Sequence, residues 1–173
     1  RFGMKQEIPG RITALQEKLR ELELDAALIY DRENLIYFAG VTDLEGGVLC
    51  IPAEGVAELF CLWMEAEHMR QATGLRVTGY PFPAQTQSSM AAKWLHGLGL
   101  KRPRVGFTRY FISLKDYQCL QEAVPEMVVG DIAATCYQLR SIKCPEEIRR
   151  IRAASKALEA GMKAMPVSYT HLT

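Results

Sequence analysis

The chain has 173 residues, of which 49% are hydrophobic and 24% charged, and its formal net charge is +1. This length and composition are typical of one globular domain whose core is large enough to fold without disulfides or metals. The near-neutral charge gives no electrostatic reason to expect binding to nucleic acid or to an acidic membrane surface. No apolar run approaches the roughly 20 residues needed to span a bilayer, and the first residues lack the apolar stretch of a secretory signal.

The five cysteines are odd in number and include no C-x-x-C pair. Cys50 and Cys61 fall within apolar strand patterns, where a free thiol acts as a small hydrophobe. We therefore expect reduced thiols, a cytoplasmic location and no disulfide framework. No pair of Cys or His residues has the spacing of zinc ligands, so no metal site is expected in this chain.

The first half of the chain predicts alternating helices and strands. Apolar residues spaced i, i+3, i+7 and i+10 favour an amphipathic helix from about Pro9 to Glu23. Residues 25–30 are typical of a buried strand, and a short helix is expected to end at Gly40. Two strands, at 46–52 and 56–63, are close enough in sequence to form an antiparallel hairpin.

The second half continues the alternation. Strands are predicted at 76–80, 104–107 and 127–129. Helices are predicted at 65–72, at 113–123 with Ser113 as its cap, and from Asp131 to Leu139. A further helix is predicted to begin after a cap at Ser88 or Ser89. The pattern predicts an α/β fold, in which a mixed, mostly parallel sheet with one antiparallel hairpin has helices on both faces.

A last helix is predicted at about 145–164. Pro145 suits the first helical position, and Glu146 and Glu147 suit the positive end of the helix dipole. One face of this helix is apolar and carries Ile148, Ile151, Ala154, Leu158 and Met162. Residues 166–173 follow Pro166 and break the helical pattern, and we interpret them as translated vector or adaptor sequence, with a natural tail as the alternative.

Four segments, in this order, resemble the N-terminal domain of the creatinase / aminopeptidase P / prolidase family. They are Arg11–Leu22 followed by Asp25–Ile29, then Asn34-Leu35-Ile36-Tyr37-Phe38-Ala39-Gly40, the strand pair after it, and Leu139-Arg140-Ser141-Ile142-Lys143 leading to Glu147-Ile148. The last segment is similar to the family's junction between its two domains. The resemblance covers about residues 10–164 and implies a ribonuclease-H-like mixed sheet.

The resemblance also implies a domain organisation and a function. We expect a creatinase-type N-terminal domain at 8–143, a junction helix at 144–165 that leads to an absent catalytic domain, and a non-native tail at 166–173. In the family, this domain serves dimerisation and substrate gating of a metallohydrolase that cleaves Xaa-Pro peptides or related C–N bonds. The implied partners are the missing catalytic domain in cis, a second copy of the chain, and a peptide or small-molecule substrate.

The family's catalytic ligands cannot be placed in this chain. The resemblance implies two divalent metal ions (Mn, Co or Zn), bound by two Asp, one His and two Glu in the catalytic domain. After Ile148 the chain offers only Glu159 and His171, and no Asp follows Asp131. We therefore expect no catalytic residue, no cofactor and no hydrolase activity in this chain alone.

The loop from Gly40 to Gly47 is the candidate substrate-facing segment. In relatives, the loop after the "Y-x-x-G" motif can reach the active site of the neighbouring subunit, which makes Tyr37, Asp43 and Glu45 candidate substrate-facing residues. An exposed loop after a helix-ending glycine is the alternative. No glycine-rich phosphate-binding pattern accompanies Gly46 and Gly47.

Other chemistry-bearing residues have simpler interpretations. His68 near Glu65 is expected on a solvated helix face, Trp63 and Trp94 are expected to pack in the core, and Ser113 fits a helix cap better than a nucleophile. The alternative function is a stand-alone peptide-binding or protein-interaction module. A sheet-based nuclease, suggested by fold analogy alone, is disfavoured. The nuclease would need carboxylates at strand centres, where this chain has apolar residues apart from Glu58.

Overall fold

The computed structural model of the protein describes residues 2–42, 44–108 and 112–164, with side chains from Glu7 onward. These residues fall into two compact units, one ending at Arg140 and the other beginning at Ser141. None of the described helices is both long enough and apolar enough to cross a membrane.

The first unit alternates helices and strands as the sequence predicts. In chain order the elements are α1 Phe2–Glu21, β1 Ala26–Ile29, α2 Arg32–Ala39, β2 Gly47–Pro52, β3 Glu58–Leu62, α3 Ala66–Thr73, β4 Arg76–Tyr80, α4 Gln87–Gly97, β5 Arg104–Phe107, α5 Leu114–Ala123, β6 Val128–Asp131 and α6 Ala133–Ser141. The second unit contains α7, Pro145–Ala164.

The six strands form one mixed sheet in the order β4-β3-β2-β1-β5-β6. Strand β2 is antiparallel to both of its neighbours, β1 and β3, whereas β1 with β5, β5 with β6 and β3 with β4 are parallel pairs. Five strands therefore point the same way and only β2 is reversed. The predicted α/β fold class, with its mostly parallel sheet and its β2–β3 hairpin, is confirmed.

Side-chain alternation along the strands builds a core on each face of the sheet. Ala27 and Ile29 of β1 belong to a cluster that includes residues of α1, α2, α3 and α6. Ala26 and Leu28 point to the opposite face, into a cluster with residues of α4 and α5. Successive strand residues point to opposite faces, so a strand with helices on both sides needs an uninterrupted apolar sequence.

Local signals explain two helix boundaries at the edge of the sheet. Asp31 caps α2 by accepting a hydrogen bond from the Asn34 N–H, and Gly40 ends this helix in the left-handed region with φ 70°. The predicted cap of α4 at Ser88 or Ser89 is wrong, because the cap is Thr86. Ser89 instead completes a capping box with Thr86, which satisfies backbone N–H groups at both positions.

The prediction that Trp63 packs in the core is also wrong, since 63% of this residue is exposed. Trp63 lies one residue beyond the end of β3, so it has left the alternation that buries Leu59 and Cys61. Trp94 agrees with the prediction, because it is half-buried and packs against the core cluster that includes α4 and α5.

Helix α7 in the second unit has no buried residue. Its predicted apolar face is exposed at Ile151, Leu158 and Met162. Cys144 precedes the helix and exchanges two bonds with Glu147, because its N–H donates to the carboxylate at 2.9 Å and its sulfur accepts the Glu147 N–H at 3.4 Å. This reciprocal arrangement satisfies backbone donors at the start of the helix in the manner of a capping box.

Thiol reactivity tests the absence of a disulfide framework. Cys50, Cys61 and Cys136 are buried, whereas Cys119 and Cys144 are partly exposed. Burial raises the pKa of Cys61 to about 11 and that of Cys136 to about 12, which disfavours their reactive thiolates at neutral pH. We expect a disulfide-exchange reagent at pH 8 to modify two thiols rapidly in the native chain and five in denaturant.

The control for this experiment is the double variant Cys119→Ser, Cys144→Ser, which should lose the rapid phase and retain three thiols in denaturant. Fewer than five thiols in the denatured wild-type chain, measured without reductant, would reveal a disulfide and contradict the prediction.

Candidate functional site

The direction of the strands brings several irregular segments to one edge of the sheet, which we call the carboxyl edge. The segments that follow β1, β3 and β4 start there, and the loop that precedes the reversed strand β2 ends there. In open α/β sheets, ligands bind at the carboxyl ends of the strands. The carboxyl edge is therefore the place to look for a site.

A cleft of about 190 Å³ opens at the carboxyl edge beside the end of β1. One wall is the loop between α2 and β2, and the other comes from residues at the end of β1 and the starts of α2 and α4. The lining residues are Tyr30, Arg32, Leu35, Val41, Thr42, Leu44, Glu45, Gly46, Gly47 and Gln87. This volume suits a single side chain or small group, since sites for drug-sized ligands are larger.

Glu45 is one of the three predicted substrate-facing residues, and it lines this cleft with an exposed side chain. Its backbone N–H donates to Oε1 of Glu65 at 3.3 Å, which ties the loop to the segment after β3. The other carboxylate oxygen of Glu65, Oε2, is buried without a hydrogen-bond partner among the described residues. The Glu65 carboxylate thus bonds to the backbone at this end of the loop.

The other two predicted residues have different outcomes. Asp43 lies outside the described residues. Tyr37 is not among the residues that line the cleft, and its hydroxyl donates to the carbonyl oxygen of Leu139 at 3.0 Å. The guanidinium of Arg11 lies 4.3 Å from the centre of the Tyr37 ring. A substrate-facing role for Tyr37 stays a prediction.

A hydrogen-bond network lies behind the cleft and connects β1, α4 and α5. Ser88 donates its single hydroxyl proton to Oδ1 of Asp116 at 2.7 Å, so it accepts from the Tyr30 hydroxyl at 2.8 Å. The other oxygen of Asp116 accepts from Gln87 at 3.0 Å and from Ser113 at 2.5 Å. Burial holds the pKa of Tyr30 well above its ordinary value, so this hydroxyl remains a neutral donor.

Ser113 has the role that the sequence predicts for it. Its hydroxyl oxygen accepts the Asp116 N–H at 3.0 Å and so caps α5. His68, predicted on a solvated helix face, is exposed on α3. Neither residue contributes to the cleft.

Tyr80, the last residue of β4, lies under the loop. It is 3% exposed, and a Cβ atom added to Gly46 would lie 3.5 Å from its hydroxyl. Burial, with smaller contributions from Cys61, Asp116 and Glu65, raises the pKa of Tyr80 to about 12. The phenol is therefore neutral at physiological pH and can act as a hydrogen-bond donor.

Large apolar side chains are exposed next to these polar groups. Trp63 and Met64 follow β3, and Phe82 follows β4, with exposures of 63%, 68% and 64%. The Trp63 N–H donates to the Tyr80 carbonyl oxygen at 3.0 Å, which places the two segments side by side. Exposed apolar groups beside polar ones are typical of surfaces that bind a ligand or a protein.

The described residues contain no group of three or more His, Cys, Asp or Glu side chains that could hold a metal ion. The site therefore offers carboxylates, neutral phenols and apolar surface, but no set of ligands for paired metals. This chemistry suits binding and orientation of another molecule.

Sequence reasoning singled out Glu45, which lines the cleft, but not the residues around it. Tyr30 and Tyr80 have a usable signal, because each stands at the end of a predicted strand. Ser88, Asp116 and Gln87 have none, since each lies within the first turn of a helix and only the fold brings the two helices together.

Alkaline pH tests the burial of the Tyr80 phenol. The folded-state pKa of Tyr80, about 12, exceeds the ordinary value of 10.0. The neutral Tyr80 phenol therefore contributes fully to the free energy of unfolding below pH 10, and this contribution is lost as pH rises towards 12. Tyr80→Phe cannot ionise. Between pH 9 and 12 its free energy of unfolding should fall by about 2 kcal/mol less than that of the wild-type chain, measured by urea unfolding.

The matched control is Tyr137→Phe, at a tyrosine that is 71% exposed, and it should follow the wild-type pH dependence. Identical pH dependence for Tyr80→Phe and the wild-type chain would show that the Tyr80 phenol does not contribute.

Comparison with known proteins agrees with the fold. The chain is 26% identical over 169 residues to an uncharacterized peptidase of Staphylococcus aureus strain MRSA252, in an alignment that covers 92% of this chain and 46% of the peptidase. The chain thus spans about half the length of this curated relative.

Solved structures share the fold at low sequence identity. The prolidase of Pyrococcus horikoshii OT3 has a TM-score of 0.70 and 20% identity, covering 91% of this chain and 43% of that chain. A proline dipeptidase from Streptococcus pneumoniae TIGR4 has a TM-score of 0.67 and 20% identity, covering 76% of this chain and 98% of that chain.

The family described as "Creatinase/Prolidase N-terminal domain" matches residues 11–142. This range runs from within α1 to the end of α6 and contains the whole sheet and the cleft. The chain belongs to the creatinase/prolidase N-terminal domain family.

Proposed function

We propose that this chain is the N-terminal, non-catalytic part of a larger metallohydrolase that cleaves Xaa-Pro peptides or a related C–N bond. The observation that carries the proposal is the match of residues 11–142 to the family's N-terminal domain, in a chain that covers 46% of a peptidase relative. The described residues hold no metal-binding cluster, so the catalytic chemistry is assigned to residues outside this chain.

Within the whole protein, we assign the domain two tasks, dimer contact and substrate gating. The carboxyl edge supports the gating task, because exposed carboxylate, aromatic and thioether groups lie there together at Glu45, Trp63 and Met64. Asp43 is included as a proposed substrate-facing residue on the family resemblance. The resemblance implies the same role for Tyr37, whose hydroxyl is bonded to the Leu139 carbonyl oxygen. In this proposal, a second copy of the chain presents its loop to the active site of its partner, in the cytoplasm.

The catalytic half would bind two divalent metal ions, which activate water and polarise the scissile carbonyl. The residues described here do not fit that role, and no step of the hydrolysis is assigned to them. Their proposed contribution is to orient a peptide and to close one side of the site against water, which lowers the entropic cost of reaching the transition state.

Loop variants in the full-length protein test the gating task. Glu45→Gln and Asp43→Asn should each raise the KM for an Xaa-Pro dipeptide about fivefold, with kcat nearly unchanged, because they remove substrate binding and not chemistry. Glu54→Gln is the matched control, since this glutamate is also exposed and lies in the turn after β2, at the opposite edge of the sheet. A KM that stays at the wild-type value in both variants would remove these residues from the site.

The chain alone should not hydrolyse Xaa-Pro dipeptides, with or without added Mn²⁺ or Co²⁺. Metal-dependent turnover by the pure 173-residue chain, at a rate that follows the protein through gel filtration, would overturn the assignment of catalysis to a missing half.

A stand-alone peptide-binding or protein-interaction module is the second candidate, favoured by the exposed Trp63, Met64 and Phe82. A titration of a fluorescently labelled Xaa-Pro peptide with the isolated chain, followed by the anisotropy of the label, distinguishes the two. Saturable binding that Trp63→Ala abolishes would support the module, whereas no change in anisotropy supports a domain that needs its catalytic half.

A further inference from the structure

Two sequence motifs that carry the family resemblance contact each other in the first unit. The Tyr37 hydroxyl in α2 donates to the carbonyl oxygen of Leu139 at 3.0 Å, and Arg140 Nη1 donates to Oδ1 of Asn34 at 3.2 Å. These partners are 102 and 106 residues apart in the chain. The Asn34–Gly40 segment is thus bonded to the last turn of α6 at two points.

The first of these bonds satisfies a group that the helix itself leaves open. The last four carbonyl groups of an α-helix have no partner within the helix, and α6 ends at Ser141. The carbonyl of Leu139 is one of these groups, and Tyr37 supplies a donor for it. Arg140 places its charge in the last turn, where the helix dipole favours a cation.

Tyr37 is also held from the other side by α1. Arg11 Nη1 donates to the Tyr37 carbonyl oxygen at 2.8 Å, and its guanidinium lies 4.3 Å from the ring centre. The Arg11 side chain is 9% exposed and forms an ion pair with Glu7 at 2.9 Å. A stacked, mostly buried guanidinium restricts the ring far more than an exposed contact does.

Asn34 is also held by partners outside α6. It is 3% exposed, and its N–H donates to Oδ2 of Asp31 at 3.1 Å. The second oxygen of Asp31 accepts the Thr108 hydroxyl at 2.5 Å. Both α2 residues that bond to α6 are therefore held by further partners in the core.

We propose that Asn34 and Tyr37 are positioning residues that couple the end of α6 to the loop at the candidate site. Helix α2 has eight residues, and Tyr37 lies three residues before Gly40, where the loop begins. One short helix thus carries both contacts to α6 and the start of the loop that bears Glu45. Because such coupling is reciprocal, the free energy by which an ordered α6 end stabilises the loop equals the free energy by which an ordered loop stabilises the α6 end.

Amide hydrogen exchange on the 173-residue chain tests this coupling. Tyr37→Phe removes only the hydroxyl and keeps the ring under Arg11. Exchange at residues 138–141 and at the amides of the loop should become about fivefold faster, because protection falls by the free energy of one hydrogen bond. The amides of β1 report global unfolding, and the local change must exceed theirs.

Tyr30→Phe is the matched control, because it also removes one tyrosine hydroxyl that bonds to another element, at Ser88. It should leave exchange at residues 138–141 at the wild-type rate. The coupling is overturned if Tyr37→Phe leaves both segments unchanged, or if it accelerates residues 138–141 alone, without the loop.

The Arg140 contact is tested by rescue. Arg140→Ala should accelerate exchange in the first turn of α2, and Arg140→Lys, which keeps a cationic donor, should restore most of the protection. Equal exchange in the wild-type chain and both variants would show that the bond to Asn34 does not position α2.

This inference rests on the proposed function, because the loop that it couples to α6 is the loop assigned to gating. The coupling and the gating task can nevertheless fail separately. In the full-length protein, Tyr37→Phe should raise the KM for an Xaa-Pro dipeptide about threefold with kcat unchanged, because a displaced loop weakens binding. Altered exchange with an unchanged KM in both Tyr37→Phe and Glu45→Gln would retain the coupling and remove the gating task. Unaltered exchange in Tyr37→Phe together with a raised KM in Glu45→Gln would retain the gating task and remove the coupling.

Discussion

Burial of strand β1 on both of its faces is the constraint from which the rest of the first unit follows. All four of its side chains are completely inaccessible, and its neighbours are the antiparallel β2 and the parallel β5. A strand in this position must be covered above and below, so helices pack on each face and two separate cores form. Each core then fixes its own helices, and these determine which polar residues meet where β1 ends.

The polar residues at the carboxyl edge are paired with residues from elsewhere in the fold. Tyr30 and Asp31 follow β1 directly, and they are bonded to Ser88 of α4 and to Thr108, which follows β5. Buried polar groups are costly unless they are paired, so each such residue needs a partner from another element. The candidate cleft is the space left between these paired groups and the loop that leads into β2.

Much of this architecture follows from the sequence, and the reasons for the exceptions are physical. The apolar run of β1, the glycine that ends α2 and the proline that starts α7 are local signals, and the structure has all three. The cap of α4 at Thr86 depends on where the helix begins, and the exposure of Trp63 depends on where β3 ends. Sequence propensity defines such boundaries only to within a few residues. The bonds of Asp116 to Ser88 and of Tyr37 to Leu139 join residues that no short-range pattern relates.

The reversal of β2 has a consequence for how such a domain can diversify. The same reversal that brings the α2–β2 loop to the carboxyl edge leaves the short turn between β2 and β3 at the opposite edge, where Gln16 bonds to Pro52 and Gly55. The turn at this opposite edge is thus bonded to α1 through a side chain, whereas the α2–β2 loop at the carboxyl edge extends over residues 40–46. Insertions and exchanges of sequence can therefore accumulate at the carboxyl edge without altering strand register, so a single scaffold can carry different loops there.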